Sequence, residues 1–230
     1  MLSKLAAPAA HEIINPVSAT LNLAAIMQSG LKEDRISTDR AKEFRGYLAQ
    51  IISESTRAGR IASELLALAR ASYREPRLAD FNEIVAGAFS ISSHRFKIED
   101  VECTLTLAQQ LPPIRCDAVR MQEAVLNLLA NAVEAVAGRA ERRVQVRTRR
   151  RAEARGVILE IADSGPGVPR KHMAKIFDPW FTTSDQPENL GLGLTVARSI
   201  VETCGGLLEL AVEQQAGATF RLTLPAEDGR

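Results

Sequence analysis

Between residues 44 and 69, Phe44, Leu48, Ile51, Ser55, Ala58, Ala62, Leu65 and Ala69 recur at steps alternating between four and three, the spacing of a helical seam that faces other helices. Tyr47, Ile61 and Leu68 widen the stripe beyond a two-helix seam. A second helical pattern precedes it from Leu5 to about Met27, with Ile14, Val17, Leu21 and Ala24 on one side. Two stripes this broad cannot hide each other in an isolated hairpin. Pairing two copies into a four-helix bundle buries them, so the pattern predicts a homodimer. The competing expectation is a hairpin packed against the rest of its own chain. Pro16 removes one helical hydrogen bond and predicts a local bend. Gly30 is a stop signal, and Ser37 or Thr38 is the expected cap of the next helix.

The helical period breaks at Ala71-Ser-Tyr-Arg-Glu-Pro76-Arg. The break divides the chain into a hairpin over residues 1–75 and a second domain over 76–230. Helices are expected over Phe81–Phe96, Asp117–Ala137, Lys171–Ile176 and Leu192–Thr203. Strands are expected over Glu102–Leu107, Val144–Thr148, Val157–Ala162, Leu207–Val212 and Ala218–Leu224, the last two forming a hairpin. Helices mixed with strands that close in a hairpin predict an α+β sandwich, helices on one face of a sheet.

With 29 basic and 28 acidic residues, the chain has a formal charge of +1, which favours neither nucleic acid nor a membrane surface as partner. The basic run from Arg142 to Arg151 alternates with Val144 and Val146 and reads as a solvated strand face. Cys103, Cys116 and Cys204 lack metal-ligand spacing and read as small core residues in a reducing compartment. No apolar run reaches the roughly 18 residues needed to span a bilayer. No signal-peptide pattern opens the chain, and only ten residues precede His11. A cytoplasmic segment is expected, without membrane contact of its own, as the cytoplasmic part of a longer sensor.

Several residues carry chemistry. His11 has Glu12 beside it and Asn15 four positions on, all in the first helical pattern. A neutral imidazole is a competent nucleophile near pH 7, and a neighbouring carboxylate can accept its other proton. Asn127 and Asn131 are four apart and share a helix face, with Glu123 and Glu134 near it. Their amide oxygens suit Mg²⁺. Asp163 ends an apolar strand and is followed by Gly165 and Gly167, so its carboxylate can accept from an exocyclic amine while the glycines turn the backbone closely. Gly191-Leu192-Gly193 opens a helix whose free amides and dipole favour phosphate. The polar loop between Phe181 and Asn189 has the makings of a lid, anchored by Phe177, Trp180 and Phe181 through packing.

In order, these segments resemble the transmitter core of bacterial two-component sensor histidine kinases over essentially all 230 residues. Leu5 to Pro16 resembles the H box, Asn127 to Ala135 the N box and Asp163 to Pro169 the first glycine box. Ile176 to Thr183 resembles the F box, and Gly191 to Leu194 the second glycine box. The His-Glu-x-x-Asn-Pro form and the Phe-Thr-Thr ending resemble the nitrogen-regulation and oxygen-sensing branch.

The resemblance implies a dimeric four-helix bundle joined to a Bergerat-type ATP-binding sandwich. It implies that His11 takes the γ-phosphoryl group of ATP, that Glu12 orients or deprotonates it, and that Asn15 positions water for dephosphorylating the partner. Asn131, assisted by Asn127, would hold Mg²⁺, and Asp163 would read adenine. The nucleotide set takes in Gly165, Gly167, Lys175, Thr182, Thr183, Gly191, Leu192 and Gly193. The phosphoryl group would pass to an aspartate of a response-regulator receiver domain. Four positions depart from the family pattern. Asn189 and Leu190 stand where the second glycine box usually begins Gly-Thr/Ser, Ser184 stands where this branch often has Lys, and Pro8 stands where Gly is common. The altered glycine box supports an alternative, a nucleotide-binding signalling scaffold acting by protein contact. A related ATPase of the chaperone, mismatch-repair or gyrase kind is disfavoured, because such proteins lack a His-Glu helix before the pocket.

Overall fold

The computed structural model describes residues 2–31, 37–69, 75–151, 155–184, 189, 191–211 and 217–227; the side chains of residues 2–9, 11, 12, 60 and 63–69 lie outside the described set. Two helices, α1 (Leu2–Gly30) and α2 (Thr38–Ala69), build one compact unit, and the elements from Arg77 onward build a second. Among the described residues, no helix is long and apolar enough to cross a membrane.

α1 remains one helix through Pro16, which is buried. Ser37 caps α2, its hydroxyl oxygen accepting the Arg40 N–H at 3.2 Å. A methyl group added at Gly30 would come within 2.7 Å of the Phe44 ring, so the absent side chain makes room for Phe44 to pack across the turn. Phe44 and Ile61 are buried inside this unit, yet Ile14, Val17, Leu21 and Ile26 on α1 and Leu48 and Ile52 on α2 are 43–65% exposed.

The second unit opens with β1 (Arg77–Ala79) and α3 (Phe81–Ile98), whose N-cap Asp80 accepts from the amides of Asn82 and Glu83. Next come β2 (Glu102–Thr106), β3 (Ile114–Cys116) and α4 (Ala118–Val136), whose N-cap Asp117 accepts from Val119 and Arg120. β4 (Arg143–Arg150), β5 (Gly156–Asp163), α5 (Gly193–Thr203), β6 (Leu207–Ala211) and β7 (Thr219–Pro225) follow. Five strands form one sheet in the order β2-β4-β5-β7-β6, antiparallel except for β2 beside β4, and β1 pairs with β3 separately.

Cross-strand register explains the burial. Val146, Ile161 and Phe220 lie opposite one another, as do Thr148, Leu159, Leu222 and Leu208, and all are buried beneath the helices. On the other face, Arg147, Glu160, Arg221 and Glu209 form the matching row. There Glu160 accepts from Arg149 at 3.0 Å and Arg221 at 2.8 Å. Partial burial pushes its pKa up, but the two guanidinium groups outweigh that and leave it lowered. The basic run is therefore the sheet's solvent side, bearing its own countercharge.

The helix expected over Lys171–Ile176 is instead a series of turns, with His172, Met173 and Lys175 each bonding back three residues. Pro169 and Pro179 bracket a stretch too short to pay the nucleation cost of an isolated helix. The three-residue strands β1 and β3 carry too few residues to show a period, and the sequence pattern did not reveal them.

Candidate functional site

α4 carries the site along one face. Its apolar side, with Met121, Leu128, Leu129 and Val136, is fully buried, which turns Asn127 and Asn131 toward the helix margin, both half-buried. Neither carboxamide has a hydrogen-bond partner among the described residues, so both keep oxygens available to a cation. At one end Gly193 abuts Asn127; a side chain there would first meet the Asn127 carboxamide, at 3.9 Å. At the other end Gly165 lies against Ala135, whose carbonyl oxygen an added methyl would approach to 2.9 Å. The eight steps from Asn127 to Ala135 span about 12 Å of helix, so both glycine segments flank the Asn131 face.

The Asp163 side chain, 7% exposed at the end of β5, is fixed from one side only. Its Oδ1 accepts the amides of Gly165 at 2.8 Å and Ala218 at 3.2 Å. Its Oδ2 is buried without a hydrogen-bond partner, an arrangement costly enough to indicate a missing donor. Burial raises the pKa of this carboxyl, against the two amides and the charge of Arg139, which lower it. Gly165 allows the turn because a methyl there would strike Asp163 Oδ1 at 2.7 Å. Gly191, at φ 66°, passes so close to the Phe181 carbonyl that no side chain fits.

Other expected residues are placed less tightly. His11 and Glu12 lie on α1 with side chains outside the described residues, and Asn15 is exposed on the same helix. Lys175, Thr182 and Thr183 are exposed, and none bonds to Asn127, Asn131 or Asp163 among the described residues. Thr182 instead accepts the Ser184 amide at 3.0 Å. The Leu192 side chain is fully buried, leaving only its backbone to face a phosphate. A cavity of about 390 Å³ opens beside the Asp163 turn on the solvent side of the sheet, lined by Gln145, Ala162, Met173, Ala211 and Thr219. Asp163, Gly167 and Ala218 line it too, whereas neither asparagine of α4 does, so it shares the Asp163 turn with the site but not the asparagine face.

Family models match two stretches of the chain. The phospho-acceptor domain described as His Kinase A covers residues 1–74, and the Histidine kinase-, DNA gyrase B-, and HSP90-like ATPase covers residues 116–228. The Escherichia coli K12 sensor histidine kinase ZraS is 32% identical over 225 residues, 97% of this chain and 45% of ZraS. The chain belongs to the sensor histidine kinase family.

The sensor protein FixL of Bradyrhizobium diazoefficiens is 28% identical across 99% of this chain and 44% of its own length. The chain thus spans about half the length of the curated relatives it matches. Among solved structures, the histidine kinase ThkA in complex with the response regulator protein TrrA superposes with TM-score 0.70 at 22% identity, covering 100% of this chain and 63% of that one. Acinetobacter baumannii AdeS gives TM-score 0.65 at 19% identity, covering 95% and 98%. These likenesses establish a sensor histidine kinase transmitter fold, a helical hairpin followed by an α/β sandwich with a mixed five-stranded sheet.

Within that fold, two departures noted in the sequence meet. The Asn189 amide donates to Ser184 Oγ at 3.0 Å and to the Glu134 carboxylate, one turn beyond Asn131 on α4. The sequence pattern places Glu134 near the asparagine face without giving it a partner. It missed Ala218 altogether, because the amide that fixes Asp163 lies 55 residues away with no local signal.

Proposed function

We propose that this transmitter core phosphorylates His11 from Mg-ATP and passes the phosphoryl group to an aspartate of a response-regulator receiver domain. The observation carrying the nucleotide half is Asp163: one carboxylate oxygen held by two amides, the other buried and unpartnered at the end of an apolar strand. An adenine amino group supplies the missing donor, and any base lacking an amine there leaves the oxygen unsatisfied. Gly165 and Gly167 let the base approach, and the amides of Gly191, Leu192 and Gly193 at the head of α5 receive phosphate oxygens. Lys175, Thr182 and Thr183 complete the nucleotide set from the flanking segment. The free carboxamides of Asn131 and Asn127 fit a hard divalent cation that keeps several waters. Mg²⁺ bound there supplies charge neutralisation as the phosphoryl group departs.

A ring nitrogen of His11 attacks the γ-phosphorus, the bond to the β-phosphate oxygen breaks, and ADP leaves. Glu12 takes or orients the proton on the other nitrogen. The phosphoryl group then moves to a carboxylate of the receiver, and Asn15 positions water for the reverse loss. The exposed apolar residues of α1 and α2 support a homodimeric four-helix bundle, with the domain limits at 1–75 and 76–230 and the assembly in the cytoplasm, as the cytoplasmic part of a longer sensor.

Radiolabelled γ-ATP tests the reading. Wild type gains acid-labile, base-stable label, and His11→Gln loses it while still binding nucleotide. A second reading, a nucleotide-binding scaffold, is favoured by the Asn189–Glu134 bond, which occupies a carboxylate beside the proposed metal residues. Nucleotide binding without label in wild type supports the scaffold, and label that persists in His11→Gln rejects the kinase assignment at that residue.

A further inference from the structure

On the solvent side of the sheet, two cross-strand rows lie next to each other. Arg147, Glu160, Arg221 and Glu209 form one, and Arg149, Ile158, Thr223 and Leu207 form the next. Beyond the second row, Gly205 and Gly206 lead into β6 without side chains. A cavity of about 450 Å³ opens there, its apolar lining Ile158, Leu207 and Pro225 and its charged lining Arg149, Arg151, Arg221 and Glu209. Ile158 stands on the side away from the helices yet is only 5% exposed, which gives the cavity an apolar floor, while Leu207 keeps 50% of its surface open. The Glu160 carboxylate accepts from both Arg149 and Arg221, and Glu209 stands 3.8 Å from the second of these guanidinium groups. Arg151 has no ion pair among the described residues. Three guanidinium groups against two carboxylates leave one positive charge in excess, and it rests on Arg151. None of Asn127, Asn131, Asp163 and Gly193 lines this cavity.

We propose that this cavity is a binding site for a small organic monocarboxylate, an acid carried on an apolar body. The Arg151 guanidinium is a planar fork whose N–H groups match the two oxygens of a carboxylate. A carboxylate seated on it neutralises the one excess charge. A phosphate dianion overshoots that charge and meets Glu209 on the same lining. Ile158, Leu207 and Pro225 take the apolar body out of water, a gain that an inorganic anion cannot make. Glu160 already holds Arg149 and Arg221 in place, so ordering those two side chains costs the ligand little. At about 450 Å³, the cavity has the size of a small-molecule site.

The test titrates the nitrogen-15-labelled full chain, without nucleotide, with phenylacetate, phenylacetamide and inorganic phosphate, following backbone amide shifts. Phenylacetate is expected to shift Gly205, Gly206, Leu207 and Thr223 saturably, with a dissociation constant of about 1 mM. Phenylacetamide and phosphate should each bind about tenfold more weakly or worse. Arg151→Gln should weaken phenylacetate about tenfold and leave amides remote from the cavity unmoved. Leu207→Ser should weaken phenylacetate but not phosphate. Arg147→Gln removes the same charge from the same face outside the cavity. It should change the affinity by less than about twofold, because salt screens a charge that does not touch the ligand. Three results overturn the proposal: shifts that never saturate, phosphate binding as tightly as phenylacetate, or Arg151→Gln costing no more than Arg147→Gln. With no nucleotide present, none of these readouts depends on phosphorylation of His11.

Discussion

In the sandwich, Leu128, Leu159, Ile161 and Leu222 have no exposed surface, whereas in the hairpin Ile14, Leu21, Leu48 and Ile52 keep 47–65% of theirs. Both regions present apolar stripes of similar regularity, so the difference does not come from pattern. A sheet face is matched by three helices of the same chain, and its rows of opposed residues close on them. A two-helix hairpin has only one partner per helix, and stripes wider than a single seam remain in water. The sandwich satisfies its apolar surface internally, while the hairpin leaves its own exposed, to be covered in the proposed function by a second copy.

Substitutions can break that contrast. The largest effect is expected from Leu159→Ala, which deletes a fully buried side chain and should cost about 3 kcal/mol of sandwich stability, read as an earlier thermal transition. Leu21→Ala, 64% exposed in the single chain, should cost the isolated fold far less. Equal losses at the two positions would erase the distinction.

Next in size is Asp163→Asn. The amide oxygen can keep the two backbone donors, but an NH₂ group replaces the unpartnered oxygen and opposes an incoming amine. Adenine nucleotide affinity should fall about a hundredfold, roughly 3 kcal/mol, in a calorimetric titration, with little change in melting temperature. Unchanged affinity would separate Asp163 from base recognition.

Leu21→Glu sharpens the hairpin side of the comparison. A charge placed in a helix–helix interface should raise the dimer dissociation constant at least tenfold, about 1.4 kcal/mol or more, in sedimentation equilibrium. The sandwich melt should not move. A dimer indifferent to this change would mean that another surface covers the stripe.

The smallest effect concerns the solvent face of the sheet. The Glu160 pKa is lowered from its ordinary 4.5, so the stability it contributes is present above that value and lost as pH falls through the depressed folded value. Wild type should therefore lose its small advantage over Glu160→Gln between neutral pH and below about pH 4, in paired thermal melts. An advantage that grows on acidification would contradict the ion-pair assignment.

The candidate site is proposed largely from local sequence patterns. His11-Glu12, Asn127 with Asn131, Asp163 with its glycines, and Gly191 with Gly193 are each local patterns, and each names a chemistry through residue type and short-range spacing. The alternating strand β4 is local in the same sense. The turns at Lys171–Ile176 read as a helix because a six-residue window cannot distinguish one helical turn from several separate turns.

Sequence by itself determined the order of the elements, the helical and strand faces, and the identity of the chemical groups, because hydrophobic period and backbone preference act over a few residues. Tertiary structure alone decided which groups meet. It set Ala218 against Asp163 and Asn189 against Glu134. Both pairings span 55 positions and depend on which elements pack side by side. Packing selects such neighbours through the summed burial of whole faces, and no single residue carries a mark of its distant partner.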